Sequence, residues 1–386
     1  SLYFEMGEND EALKYFERSL AIFLKNENAE NPAIVSLYNN FGFLYEKKGD
    51  YSKALNYYEM ALDVQEKIYS QEHPDKATTY NNLANIYGTK KEYDTALRFY
   101  EKALAVQKKF QDTNHPTIAT TYSNMATIYA EKGVNDEAIR YLNIAIDILK
   151  KSTPLNFQVL SQNYYYFAKI YNNAKKYENA IYWCKLAIDA GEKFYGFDNV
   201  RIASVYYDLS GLYSQKGDID TAIYYYEKAL SIELKNYEPE HQNVAKRFND
   251  LASAYKTQGK YDKAIDYYKK ALTGYLKVFG IKHSEVAACY NNIGLAYDGK
   301  GEYDTAVIYI ERALAIDLEI SGYNHANIGT RYNNLGLIYS HLKDNIKAIE
   351  YFKKSLSIDQ KLYGNNSPRN GTFYLNLGTA YNELKM

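Results

Sequence analysis

Histidines and cysteines have the widest chemical range in this sequence, and there are six of the first and two of the second. Five histidines, His73, His115, His241, His283 and His325, lie at multiples of 42 residues from one another. Imidazoles bind a transition metal only when three or four converge on one ion. A spacing of 42 puts one in each structural repeat, a repeat's width from the next, so no metal site is predicted. The same position holds Asn31, Asn199, Ser367 and Phe157 in other repeats. Exchange of His with Asn and Ser is the pattern of a helix N-cap, whose side chain accepts a hydrogen bond from the first turn. His341 stands alone outside this column. Cys184 and Cys289 fall three repeats apart on different helices, and a disulfide requires Cα atoms within about 7 Å. Free thiols without a secretory leader pattern predict a reducing, cytoplasmic setting. Cys184 shares a column with Tyr58 and Tyr100 and reads as a small buried hydrophobe.

Other chemistries find no footing. No serine sits in a Gly-x-Ser-x-Gly elbow. Gly196, Gly280, Gly322 and Gly364 follow helices, where they read as C-caps and not as phosphate loops. Asp94, Asp136, Glu178, Asp220, Asp262 and Asp304 stand near helix starts, where the helix dipole favours a negative charge. The sequence thus predicts a protein that is not an enzyme and has no cofactor. Lys and Arg number 46 against 47 Asp and Glu, for a net charge of −1, which argues against nucleic acid as a partner. No apolar run is long enough for membrane insertion.

The elements that carry these residues repeat. Tyr80-Asn81-Asn82-Leu83-Ala84-Asn85-Ile86-Tyr87 recurs with small edits every 42 residues, and tyrosine holds the Tyr87 position from Tyr3 to Tyr381. An unbroken register marks a stacked-repeat architecture and overrides the two or three domains that 386 residues would otherwise suggest. Each unit reads as two helices. Asn31-Pro32 opens a first helix with an N-cap and a proline at its first position, Gly49-Asp50 breaks it, and a second helix starts at Tyr51. The chain is read as one array. Residues 1–30 form a partial repeat, with a helix tail to Met6 and a second helix from Asp10 to about Lys25. Eight full repeats fill about 31–366, and a lone first helix fills 367–386. Apolar faces at the two ends predict a piece of a longer protein, or self-association through the end repeats. Three columns stay small where helices must approach: that of Gly42 and Ala84, that of Ala54 and Ala96, and that of Ala61 and Ala103. Most of the 45 tyrosines fall in repeated columns and read as packing.

Leu83-Ala84 with Tyr87, then Ala96, Phe99-Tyr100 and Ala103, resembles the tetratricopeptide repeat signature. The run Asn81 to Tyr87, Gly259-Lys260-Tyr261, Tyr226 to Leu230, and the loop pairs His73-Pro74 and His115-Pro116 are similar to the longer repeat of kinesin light chains and nephrocystin-3. The resemblance covers nearly the whole chain. It implies an all-α, right-handed superhelical solenoid of antiparallel helix pairs whose first helices line a concave groove.

In that frame one column calls for a functional account: Asn40, Asn82, Asn124, Tyr166, Asp208, Asp250, Asn292, Asn334 and Asn376. Asn is a below-average helix former, and its repetition in mid-helix needs a reason. An amide that both donates and accepts can hold an extended peptide by its backbone. The candidate peptide-binding set is this column with Tyr165, Tyr207 and Lys246. The Tyr and Asp residues at its centre, where Lys246 lies one turn before Asp250, predict preference for a basic or hydroxyl-bearing segment. The expected function is a non-catalytic scaffold for a protein or peptide partner. The alternatives are a recognition arm of a larger enzyme or signalling protein, and a self-associating structural repeat. Exposed asparagines would contribute little to stability.

Overall fold

A computed structural model describes residues 2–26, 31–69, 73–323 and 325–384. Ser1, Lys385 and Met386, and the side chains of Tyr3 and Asp10, lie outside the described residues. Every described element is an α-helix. Packing divides the chain into two compact units, Ser1–Phe194 and Tyr195–Met386.

The first unit opens with α1 (Leu2–Asn26). Four helix pairs follow: α2 (Pro32–Lys47) with α3 (Tyr51–Ile68), α4 (Lys76–Thr89) with α5 (Tyr93–Phe110), α6 (Pro116–Glu131) with α7 (Asn135–Lys151), and α8 (Phe157–Asn173) with α9 (Tyr177–Tyr195). The second unit holds α10 (Val200–Gln215) with α11 (Ile219–Asn236), α12 (Gln242–Thr257) with α13 (Tyr261–Phe279), α14 (Ser284–Lys300) with α15 (Tyr303–Ser321), and α16 (Ala326–His341) with α17 (Asn345–Tyr363). It ends with α18 (Pro368–Leu384). The expected helix pairs are all present. One expectation fails. The predicted break near Gly7 is absent, and α1 runs unbroken. At Gly49 the chain takes a positive φ of 78° that ends the first helix, whereas Gly7 lies within the continuous α1 helix.

Local chemistry explains the pairs. Asn31 caps α2 by accepting from the Ala33 amide, and Asp50 caps α3 by accepting from Lys53. Between the two helices the chain passes through a left-handed residue, which is glycine at Gly49, Gly133, Gly217, Gly259 and Gly301. Lys91, Lys175 and Lys343 take the same conformation with φ of 64°, 57° and 61°.

Packing follows the columns. Ala54, Ala96, Ala138, Ala180, Ala222, Ala264, Ala306 and Ala348 are wholly buried. A Cβ on Gly336 would stand 2.5 Å from the Phe352 ring, so the small residue there is what lets α16 approach α17. The Tyr87 column is half-buried and not fully internal, except at buried Tyr255 and exposed Tyr381. It forms a recurring ring stack on the second helix of the same pair. Tyr87 lies 5.5 Å from Phe99 at 5°, and Tyr339 lies 5.4 Å from Tyr351 at 9°. Such offset stacks add about 0.5–1.5 kcal/mol beyond area burial. Both cysteines are buried and neither is in a disulfide, and burial pushes the Cys289 thiol up to about 12. That thiol stays protonated and donates to the Tyr268 carbonyl at 3.2 Å.

Candidate peptide-binding face

The asparagine column sits on the first helix of each pair, one residue before a fully buried position such as Leu83 or Leu335. Its side chains therefore emerge at the edge of the core, beside the first helix of the preceding repeat. In unit 2, Asn334 Nδ2 donates to Asn291 Oδ1 at 2.8 Å, Asn292 to Asn249 at 3.2 Å, and Asn376 to Asn333 at 3.2 Å. Each partner lies 43 residues back, so every bond joins two repeats. Unit 1 repeats the motif more loosely. Asn82 donates to Asn39 at 3.4 Å, and Asn124 reaches one turn further, to Asn85 at 3.4 Å.

This ladder corrects the expectation of free, solvated amides. Asn82, Asn124, Asn292 and Asn376 are half-buried, and Asn334 is only 8% exposed. Asn40 is the exposed member. The column satisfies polar groups between helices that pack closely, and that is one reason for amides in mid-helix.

The Tyr and Asp interruption has a structural part as well. Tyr207 Oη donates to Asp250 Oδ2 at 2.5 Å across the same 43-residue interval. It is a rung in which phenol and carboxylate replace two amides. The Arg247 guanidinium lies 3.6 Å from the centre of the Tyr207 ring and donates to buried Glu233 at 3.0 Å. Burial and the Asp250 carboxylate both push the Tyr207 phenol well above its ordinary range, so it remains a donor. Lys246 is exposed on the same helix. In unit 1, Lys169 Nζ stands 4.7 Å over the Tyr165 ring, and Tyr166 Oη accepts from Gln162.

Two concave pockets open on the first-helix face of unit 1. One, of about 450 Å³, is lined by Ser36, Asn39, Asn40, Gln65 and Thr78 among others. The second, of about 250 Å³, is lined by Asn85, Tyr100, Asn124, Thr127, Glu131 and Tyr166 among others. Three predicted site residues, Asn40, Asn124 and Tyr166, thus line pockets.

The histidine column behaves as caps. Nδ1 of His115, His241, His283 and His325 accepts the backbone amide two residues on. Tyr69, Tyr237 and Phe279 stack on His73, His241 and His283.

One polar seam escaped the reading of the sequence. Gln107 bonds Thr121 at 3.0 Å, Glu233 bonds Arg247, and Asp317 bonds Arg331 at 3.0 Å. Each pair is 14 residues apart and joins a second helix to the next first helix. The exchange of Gln with Thr for acid with Arg was visible in the aligned columns. Burial raises the Asp317 carboxyl and lowers the Arg331 guanidinium, while each opposes the shift in the other.

The family model for the tetratricopeptide repeat matches residues 1–67, 68–151, 160–235, 216–277, 242–319 and 328–386. The chain belongs to the tetratricopeptide repeat family. Among solved structures, the apo form of RapI shares 13% identity over 91% of this chain and 98% of its own, with a TM-score of 0.64. The C-terminal part of a tetratricopeptide repeat-containing protein from Cytophaga hutchinsonii shares 20% over 78% and 98%, with a TM-score of 0.53. The kinesin light chain nearly identical tetratricopeptide-like repeats of Podospora anserina share 17% over 65% and 99%, with a TM-score of 0.36. The first two likenesses bear on fold alone. No curated protein matches this sequence. Tetratricopeptide repeat arrays generally act as non-catalytic scaffolds for protein partners, and the fold alone does not name the partner. Among the described residues, no helix is long and apolar enough to cross a membrane.

Proposed function

We propose that this tetratricopeptide array is a scaffold that binds an extended peptide or a helical segment of a protein partner along its first-helix face. The observation that carries the reading is the amide column. It supplies a side-chain carbonyl in most repeats, held in place by a bond to the neighbouring repeat. Preorganised amides lose little freedom on binding. The pockets at Asn40 and at Asn124 with Tyr166 support a ligand path over unit 1. Rows of backbone-reading groups bind with limited sequence preference, and side-chain pockets then add specificity.

The test is a peptide-array screen followed by titration. Asn124→Ala and Asn292→Ala should each weaken a selected peptide by about 0.5–1.5 kcal/mol per bond lost, roughly two- to tenfold in affinity. Circular dichroism would confirm that each variant is folded under the conditions used. If selected peptides bind both variants as tightly as the parent protein, the face is not a binding groove.

A further inference from the structure

The ladder has a direction, and in unit 2 the direction is set by Asp250. An ionised carboxylate can only accept hydrogen bonds. Asn249 Nδ2 approaches Asp250 Oδ1 at 3.2 Å, so the Asn249 nitrogen is the donor and its Oδ1 is left to accept. Asn292 meets that Oδ1 at 3.2 Å and must present its own nitrogen. The Asn292 carbonyl is thereby turned away from the rung. Asn334 and Asn376 give their nitrogens to the preceding repeat in the same sense. Asp208 and Asp250 continue the column with carboxylates. Five successive repeats thus carry side-chain oxygens at one position.

Charge has the same sense. Arg247 is held by Glu233 and by the Tyr207 ring, so that pair is internally balanced. Of the cations on α12, the helix that carries Asp250, Lys246 is the exposed one.

From this arrangement we infer that the first-helix face of unit 2 selects a donor-rich, cationic peptide segment, with backbone N–H groups and Lys or Arg side chains meeting the oxygen row, and that it rejects acidic segments. The inference rests on the groove reading above and adds the chemistry of the ligand. An oxygen row repels carboxylates, and complementary charge governs specificity and association more than raw affinity.

A display library of random 16-residue peptides, panned on the whole chain, tests both layers. Selected peptides would be synthesised with acetylated and amidated ends and titrated at low and high salt. The expected result is enrichment in Lys and Arg. Asp250→Asn keeps an acceptor for Tyr207 and should weaken these peptides about three- to tenfold at low salt, with a flatter salt dependence. Lys246→Ser should strengthen them by a few-fold, roughly. Acidic or neutral peptides that still lose affinity with Asn292→Ala would overturn the donor-rich inference and leave the groove standing. Peptides indifferent to Asn292→Ala, Asn376→Ala and Asp250→Asn alike, or no enrichment at all, would overturn the groove reading itself.

Discussion

At the scale of single residues, asparagine does two jobs in this protein that its type alone does not separate. Asn334 is buried in a rung to Asn291, whereas Asn40 is exposed. Asn334→Ala leaves Asn291 Oδ1 without that donor and should lower stability by about 1–2 kcal/mol, while Asn40→Ala should stay within about 0.5 kcal/mol of the parent. Chemical denaturation of the two variants would show it, and equal midpoints would mean that the rungs contribute nothing. Asn163 is a third case. It is fully buried, and neither of its amide atoms has a hydrogen-bond partner among the described residues. The position 14 residues earlier, which supplies Gln107 to Thr121, is Leu149 here. An unpaired buried amide costs about 1–3 kcal/mol, and Asn163→Leu should raise the melting temperature. A drop would show that the site holds an unseen polar partner.

The helix pair adds terms that no single residue carries. Its turn needs a left-handed residue, and Lys343 occupies that conformation at φ 61°. The left-handed region costs a residue with a Cβ roughly 1–2 kcal/mol, less the entropy that glycine gains in the unfolded chain. Lys343→Gly should therefore stabilise by about 0.5–1 kcal/mol, readable as a shift in denaturation midpoint, and no shift would mean the turn is unstrained. The seam between pairs follows a different rule. Arg331 and Asp317 are 8% and 2% exposed at their side chains. Breaking such a pair from one side leaves a buried charge, so Arg331→Met should cost about 3–5 kcal/mol. Asp317→Leu combined with Arg331→Met should recover most of that loss, because two apolar groups replace two desolvated charges. A double variant as damaged as the single one would show that the pair itself stabilises the fold.

Within each unit, each repeat contacts its neighbours, and stability approximates a sum of repeat and interface terms. Ala306 is wholly buried between helices of unit 2. Ala306→Leu should overpack that interface by about 1–3 kcal/mol. Hydrogen exchange should then accelerate first in α14, α15 and α16, with α1 to α6 keeping their protection. Uniform acceleration along the chain would contradict nearest-neighbour coupling.

The sequence alone determined the repeat. A 42-residue register, small columns at Gly42 and Ala54, and Asn-Pro, His-Pro and Gly-Asp signals locate all eight helix pairs, because period, size and turn chemistry are local properties of the chain. His241 and its counterparts were legible as caps for the same reason. What the asparagine column does was decided by tertiary structure. A rung such as Asn334 to Asn291 spans 43 residues, and only the stacking of repeats shows that an amide on one first helix is tied to the first helix of its neighbour. The same holds for Tyr207 with Asp250, which reads as an interruption in sequence and as a substituted rung in space. Burial of Glu233, Asp317 and Arg331, and partial burial of Arg247, was equally hidden. A charged residue in a helix reads as surface until a neighbouring repeat places its partner within hydrogen-bond reach.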